Sequence, residues 1–460
     1  VEPLTLTEVA AATRGTLQGG DGRRVVRRVC TDSREVRAGD LFVCLEGPRH
    51  DGHDYASRAL LSGAVAVVAH RPLRNLRPVL EVNDTCDALG WLGRAVRCAR
   101  GEDEPLVVGI TGTNGKTSTK ELVAAALGSR LATVASRRSF NNAIGVPLTL
   151  LEIGAETRAV VVEMGTNAPG EIGHLTALAR PHVGLITNIG VGHLAGLGSL
   201  EGVREEKASL LDGLVGRKVA ILNADDASFG FLRERAPGPV ISFGLAPEAH
   251  VRATDVRCES SGTRFLVGGR HEGSLRLLGR HAVSNALAAI AVACVAGVEL
   301  DAALAALASV PSPPGRLSVR RLGDLTLVDD TYNSNPGSFA AALATLGELH
   351  LPGRLVIVAG DMLELGDESS SLHRAAGRRV AGLRPALVVA VGERAPDLLA
   401  GLVEGGLPAR DAHACADVDE AGELLGGLLR GGDIVLVKGS RGVALDQIVR
   451  RLVDVSARVA

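Results

Sequence analysis

Six consecutive residues, Gly112-Thr113-Asn114-Gly115-Lys116-Thr117, have the makings of a phosphate site. Glycines let backbone N–H groups close on phosphate oxygens, and a helix N-terminus adds partial positive charge. Lys116 would reach the β- and γ-phosphates, and the Thr117 hydroxyl would ligate Mg²⁺. Ser118 follows in the first helical turn. Before the loop, Val107–Thr111 is apolar and β-rich; after it, Thr117–Leu127 is helical in pattern. Strand, loop and helix together predict binding of a nucleoside triphosphate. The usual form of such a loop wants glycine at position 110. This chain has Ile110 there, with glycines at 109 and 112, so the loop is a variant.

Two further side chains fall at the ends of apolar runs. Val160–Gly165 carries Glu163, and Thr187–His193 ends in His193. In a parallel sheet both strand ends open onto the crevice that holds the phosphate loop. Glu163 and His193 could then share a second Mg²⁺ with substrate oxygens, because Mg²⁺ takes few protein ligands and completes its shell with phosphate and water. Alone, Glu163 is as readily a helix cap or a surface acid, and His193 a structural side chain. The neighbouring loop favours the functional reading. Lys207 lies in a charged helical stretch, Arg204–Ala208, and by position alone belongs to a solvated face. Yet only five of the 50 basic residues are lysine, at 116, 120, 207, 218 and 438. Where arginine serves for surface charge, a retained lysine favours a task that needs a compact charge or a neutral amine.

The elements that must position these groups alternate along the chain. Apolar runs at Leu106–Thr111, Ala159–Met164, Val183–Ile189 and Lys218–Asn223 bracket helical patterns, which predicts a mainly parallel sheet covered by helices. Residues 282–297 predict an alanine-rich buried helix. Residues 1–100 hold short β-like runs, Asp40–Leu45 and Ala64–Ala69, and a loop at Gly47–Asp54. A charged linker, Arg100–Pro105, follows. Pro311–Gly315 breaks the chain again, and the rhythm restarts with Leu325–Asp329, Arg354–Ala359, Ala386–Val391 and Asp433–Lys438. The expected fold is α/β in three domains: a small mixed domain over 1–102, a central mainly parallel sheet over 103–313, and a Rossmann-like domain over 314–460.

Composition excludes several classes. A net charge of -2 and 2% aromatics argue against nucleic acid as a partner. No apolar run reaches the roughly 18 residues of a spanning helix, and no charged-then-apolar leader opens the chain. The seven cysteines lack a Cys-x-x-Cys pair and read as reduced core residues of a cytoplasmic protein.

Taken in order, these motifs resemble the Mur ligases of peptidoglycan synthesis. The resemblance rests on Thr111–Thr117, Ser139–Pro147, Glu163, Asn188–His193, Asn223–Asp226 and Asn285–Ala289, and covers nearly the whole chain. Asp329–Pro336 and Gly360–Gly366 resemble the family member that adds D-alanyl-D-alanine to UDP-N-acetylmuramoyl-tripeptide. Thr31–Arg34, Ala38–Phe42 and Asp51–His53 are similar to the UDP-sugar-binding domain shared with the sibling that adds a single diamino acid. The Asp-Asn-Pro-Arg run usual in that sibling is missing, and the roughly 100 residues before the loop argue against folylpolyglutamate synthase.

The resemblance implies an ATP-dependent amide ligase, with ATP and two Mg²⁺ ions as cofactors. The partners would be UDP-N-acetylmuramoyl-tripeptide and D-alanyl-D-alanine, and a monomer is expected. It implies a carbamate on Lys207 that supports Mg²⁺ beside Thr117, Glu163 and His193. Asn285, Arg316 and Asp330 would surround the nucleotide, with Arg316 on the γ-phosphate and Asp330 on the ribose. Asp32, Ser33, Arg34, His53, Asn141 and Asn142 would meet the UDP substrate, and Asn333, Ser334 and Asn335 the dipeptide. Lys438, in a family motif, has no assigned role. His281 precedes Ala282 where relatives are expected to have Asn, and receives no ligand role. The sibling ligase and a nucleotide-gated binding protein remain the alternatives.

Overall fold

The computed structural model describes residues 3–459. Besides a two-stranded antiparallel pair of Leu4–Thr5 with Val25–Val26, three larger sheets follow one another along the chain. The first has five strands in the order Thr16–Gln18, Val79–Glu81, Ala66–Ala69, Asp40–Val43 and Arg28–Cys30, parallel apart from the pairing of Thr16–Gln18. Helix α1, Thr85–Cys98, leaves this unit, capped by the Asp84 carboxylate on the Asp87 N–H.

The second sheet has nine strands. Third from one edge is β1 (Leu106–Thr111), flanked by β2 (Ala159–Glu163) and β3 (Val183–Ile186), both parallel to it. Next to β3 runs β4 (Val219–Asn223), also parallel. All five residues of β2 are buried, which suits its β-branched run between two helical layers. Helix α2, Lys116–Gly128, follows β1; α3 (Glu171–Ala179) follows β2; and α4 (Leu200–Asp212) precedes β4. The alanine-rich helix α5 spans Arg280–Val295, two residues earlier at each end than its pattern predicts, and packs on α2. Far from the centre the sheet ends in an antiparallel meander, Val251–Glu259, Gly262–Val267 and His271–Leu275.

The third sheet orders Ser318–Leu322, β5 (Leu325–Asp330), β8 (Ile434–Lys438), β6 (Leu355–Gly360), β7 (Leu387–Val391) and Ala412–Cys415. Only Ser318–Leu322 is antiparallel. Helix α6, Pro336–Leu349, starts with Pro at its first position and a reciprocal cap between Asn335 and Ser338.

The apolar runs named above all form strands, most of them a residue or more shorter than their patterns. The cysteines depart from expectation: Cys30, Cys44 and Cys415 are buried, but Cys98 and Cys294 are exposed near the ends of α1 and α5. Cys98 sits on the exposed edge of an amphipathic helix, and Cys294 in the last turn of a helix otherwise buried along nearly its whole length. Among the described residues no helix is long and apolar enough to cross a membrane.

Candidate active site

The phosphate loop joins β1 to α2, and its two glycines have separate steric causes. Gly112 has φ +141°, and a Cβ there would stand 2.0 Å from Thr187 Oγ1. Gly115 has φ +82°, and a Cβ there would stand 2.6 Å from Asn285 Oδ1. The segment after β3 holds the loop from beneath. Thr113 N donates to Asn188 O at 2.9 Å, Asn114 N to Asn188 Oδ1 at 2.9 Å, and Thr187 Oγ1 to Asn114 O at 2.6 Å. Thr113 and Asn114 therefore spend these backbone groups inside the protein. The first N–H groups of α2, from Lys116 onward, have no acceptor within the helix. Lys116 Nζ donates to Gly112 O and Thr113 O at 2.8 and 3.3 Å. Burial pushes its pKa down, and nearby Arg316 adds to this while Glu163 opposes it.

Glu163, at the end of β2, is almost fully buried. Its Oε1 accepts from Thr117 Oγ1 at 3.1 Å and Asn141 Nδ2 at 2.9 Å. Its Oε2 is buried with no hydrogen-bond partner. A half-satisfied buried carboxylate beside a threonine hydroxyl fits a small divalent cation, which would supply the missing partner. His193 lies on the same cleft with φ +58°. Its Nδ1 stands 2.6 Å from Glu364 Oε2, in ion-pair range but without the alignment of a hydrogen bond. Burial lowers the imidazole pKa, as does Lys116, and Glu364 works against them.

Lys207 overturns the solvated-face reading of its helix. The side chain is 1% exposed. On α4 the outward charges are Glu201, Glu205 and Asp212; the last two pair with Arg235, while Arg204 pairs with Glu201 and lies over the ring of Phe231. Glu206 points inward and accepts from Gly170 N and Ile172 N, each at 2.7 Å, at the start of α3. Lys207 also points inward, and burial followed by repulsion from Lys116 drives its pKa well below the ordinary lysine value, with Glu206 opposing.

The opposite wall comes from the third sheet. Asp330, at the end of β5, stands across from Lys438 at the end of β8. Lys438 Nζ lies 2.7 Å from Asp330 Oδ2 and donates to Asn333 O at 3.0 Å. Asp330 Oδ1 accepts from Leu317 N at 3.1 Å, beside Arg316. The Arg316 guanidinium stacks 3.9 Å from the centroid of Tyr332, whose hydroxyl bonds Ser139 Oγ. The Ser334 hydroxyl is buried without a partner, and the amide of Asn335 meets that of Asn114. Asn142 lines the cleft while its Oδ1 accepts from Ile144 N and Gly145 N.

A cleft of about 950 Å³ runs between the second and third sheets. It is lined by Lys116, Thr117, Glu163, His193, Asn285, Arg316, Asp330, Asn333 and Asn335, among others. Asp32, Ser33, Arg34 and His53 do not line it. Asp32 is clamped by Arg34, at 2.6 Å to Arg34 Nη2, and this holds its pKa down at about 2. His53 is buried, with Nδ1 2.6 Å from Asp51 Oδ1 and its ring edge-on to His70. Tyr332 and Glu364 are the functional-wall residues that residue types did not single out. Both work by contacts between sheets, which leave no local pattern.

Comparison with known proteins agrees with this architecture. The Mur ligase middle domain model matches residues 110–293, the model for the Mur ligase, glutamate ligase domain matches 315–441, and the Mur ligase family, catalytic domain model matches 25–97. The UDP-N-acetylmuramoyl-tripeptide--D-alanyl-D-alanine ligase of Escherichia coli (strain K12) is 38% identical, over 98% of each chain. A crystal structure of MurF from Acinetobacter baumannii superposes with a TM-score of 0.90 at 32% identity, covering 99% of each chain. The MurF ligase of Thermotoga maritima in complex with ADP gives 0.81 at 28% identity, covering 95% of this chain and 99% of that one.

Proposed function

The chain belongs to the Mur ligase family, and we infer that it joins D-alanyl-D-alanine to UDP-N-acetylmuramoyl-tripeptide in peptidoglycan synthesis, forming the pentapeptide, ADP and phosphate. The observation that carries this reading is the cleft itself. It sets a phosphate loop and a half-satisfied buried acid against a run of serine and asparagine side chains on a separate sheet.

A carboxylate is a poor electrophile and an ammonium has no lone pair, so the two do not condense unaided. Transfer of the γ-phosphoryl group to the tripeptide carboxylate gives an acyl phosphate with phosphate as leaving group. That transfer brings two anions together. Lys116 and Arg316 offset the repulsion, and the first-turn N–H groups of α2 hold the phosphates. Asn285 and Asp330 take the nucleoside end. Thr117, Glu163, His193 and a carbamate on Lys207 would hold Mg²⁺, two ions in all, which supply further neutralisation of the phosphate charge. The lowered pKa of Lys207 supports the carbamate, since only the neutral amine reacts with CO₂. The dipeptide amine then attacks the acyl carbon, and a tetrahedral intermediate expels phosphate. Asn333, Ser334 and Asn335 line the dipeptide side.

In this reading residues 1–102, with Asp32, Ser33, Arg34 and His53, form the UDP-sugar domain, and Asn141 and Asn142 extend the substrate path. Residues 103–313 form the ATP domain and 314–460 the dipeptide domain. His53 acts from beneath, by ordering Asp51 and the turn after it. The protein works as a cytoplasmic monomer.

Phosphate release is the test. It should require ATP, UDP-N-acetylmuramoyl-tripeptide and D-alanyl-D-alanine together, and Lys116→Ala should abolish it while binding of the UDP substrate survives. Turnover with UDP-muramoyl-dipeptide and a diamino acid instead would assign the sibling activity. Release insensitive to both acceptor and amine would indicate a nucleotide switch.

A further inference from the structure

We propose that Arg441 recognises the C-terminal carboxylate of the incoming dipeptide, an inference that rests on the ligase reading above. D-alanyl-D-alanine brings an amine that reacts and a carboxylate that does not. A carboxylate that leaves water needs a cation, and a planar guanidinium meets both of its oxygens at once.

Lys116, Arg280 and Lys438 beside the cleft are engaged within the protein. Lys116 bonds the carbonyls of its own loop. Arg280 pairs with Glu348 Oε1 at 2.8 Å. Lys438 is 1% exposed and neutralised by Asp330. Arg316 is close enough to Lys116 to depress its pKa, which puts its charge on the phosphate side. Arg441, which lies just outside the lining of the cleft, is exposed in the turn that follows β8 and, like Arg316, has no ion-pair partner among the described residues.

Its place is set by Tyr332. The Arg441 Cζ lies 5.9 Å from the centroid of that ring, and the Arg316 Cζ lies 3.9 Å from it. One tyrosine thus carries two guanidinium groups that lack carboxylate partners. The reaction brings two anions to this wall, the transferring phosphate and the dipeptide carboxylate, and one guanidinium serves each. The turn that holds Arg441 is tied to the dipeptide side: Ser440 Oγ donates to Ser334 O at 3.1 Å and accepts from Leu363 N at 2.9 Å. Beside it the buried Ser334 hydroxyl, which has no partner, is free to donate to the same ligand.

The test pairs two enzymes with two amines, D-alanyl-D-alanine and its C-terminal amide, which lacks the negative charge. The unaltered enzyme should show a KM for the amide on the order of 10- to 100-fold above that for the acid. Arg441→Ala should raise the KM for the acid by the same factor and leave that for the amide unchanged. The KM values for ATP and the UDP substrate should not move, and Arg441→Lys should recover part of the loss. Equal use of acid and amide by the unaltered enzyme would overturn the proposal. So would an Arg441→Ala variant that penalises acid and amide alike. Should the alanine variant fail to fold, the acid–amide ratio of the unaltered enzyme and of Arg441→Lys decides the matter: an unchanged ratio in the lysine variant counts against Arg441. Absence of any product from D-alanyl-D-alanine would overturn the ligase reading, and this proposal with it.

Discussion

The side-chain amides of Asn114 and Asn335 are paired head to tail, Asn114 Nδ2 donating to Asn335 Oδ1 at 3.2 Å and Asn335 Nδ2 donating to Asn114 Oδ1 at 2.8 Å. The first sits in the loop between β1 and α2 and the second caps α6, so the pair joins the two walls of the cleft. Asn335→Asp separates the two tasks. Aspartate is as good a cap as asparagine, but it cannot donate to Asn114 Oδ1. The variant should keep its melting temperature within a few degrees and lose about tenfold in kcat/KM for both ATP and dipeptide, on the scale of one lost hydrogen bond. Asn335→Ala should lose the same activity and, in addition, about 1 kcal/mol of stability measured by urea denaturation.

Lys438 receives a structural task that its motif alone did not define. Its ammonium lies between the Asp330 carboxylate and the Asn333 carbonyl. Lys438→Met leaves Asp330 without its cation. ADP affinity, read by calorimetry, should fall by at least about 30-fold, while affinity for the UDP substrate holds. Lys438→Arg should not restore it, because a buried slot shaped for a compact ammonium does not admit a planar fork.

Lys207 predicts a pH dependence of stability. Its pKa is lowered in the folded protein and returns to about 10.4 in the unfolded chain. Between those two values the unfolded chain binds more protons, so folding stability rises with pH through that window. Lys207→Met removes this group's share. The variant should be inactive, more stable than the parent at pH 7 by about 1–3 kcal/mol in bicarbonate-free buffer, and show a shallower rise toward pH 10. Added bicarbonate should stabilise the parent and leave the variant unchanged. A parent less stable at pH 10 than at pH 7, with the variant matching it, would contradict the burial of a depressed amine.

Legibility in the sequence divided along physical lines. β1, the phosphate loop and α2 were readable because each is local: an apolar run, two glycines and a helical period. Glu163 and His193 were readable because parallel strands deliver their ends to one edge. The inward turn of Lys207 was not, since a helix that reads Arg-Glu-Glu-Lys has the look of a solvated face. The scarcity of lysine was the better signal: Lys120, Lys207 and Lys438 are all buried, and the exposed exception, Lys218, sits at a positive φ in a turn. Contacts between sheets left no trace at all. Nothing near Tyr332 in the chain announces Arg441, and nothing near His193 announces Glu364. The exposure of Cys98 and Cys294 was hidden in the same way, because each sits in the last turn of its helix, where packing and not residue type decides exposure.

Among the bonds that join the first and second units, those of one buried arginine go deepest. Arg97, on α1, is 1% exposed. Its Nε donates to Ala179 O and its Nη2 to Arg180 O, each at 3.1 Å, and its Nη1 pairs with Glu104 Oε2 at 2.7 Å. The two carbonyls end helix α3, where a cation also meets the negative end of the helix dipole. Glu104 in turn accepts from His182 Nε2 at 2.7 Å, since His182 Nδ1 already accepts from Val107 N. Arg97 therefore fastens α1 to the end of α3 and to Glu104, two residues before β1. Arg97→Met keeps the apolar stem but leaves two carbonyls and one oxygen of the Glu104 carboxylate without their donor. The variant should lose about 3–5 kcal/mol on urea denaturation, and the first unit should become sensitive to proteolysis near residues 100–105 before the second unit unfolds. Arg97→Lys should recover only part, because one ammonium cannot span acceptors on two sides as the guanidinium does. Full stability in Arg97→Met would show that apolar packing between α1 and the second unit, at Gly93 against Pro147, suffices without it.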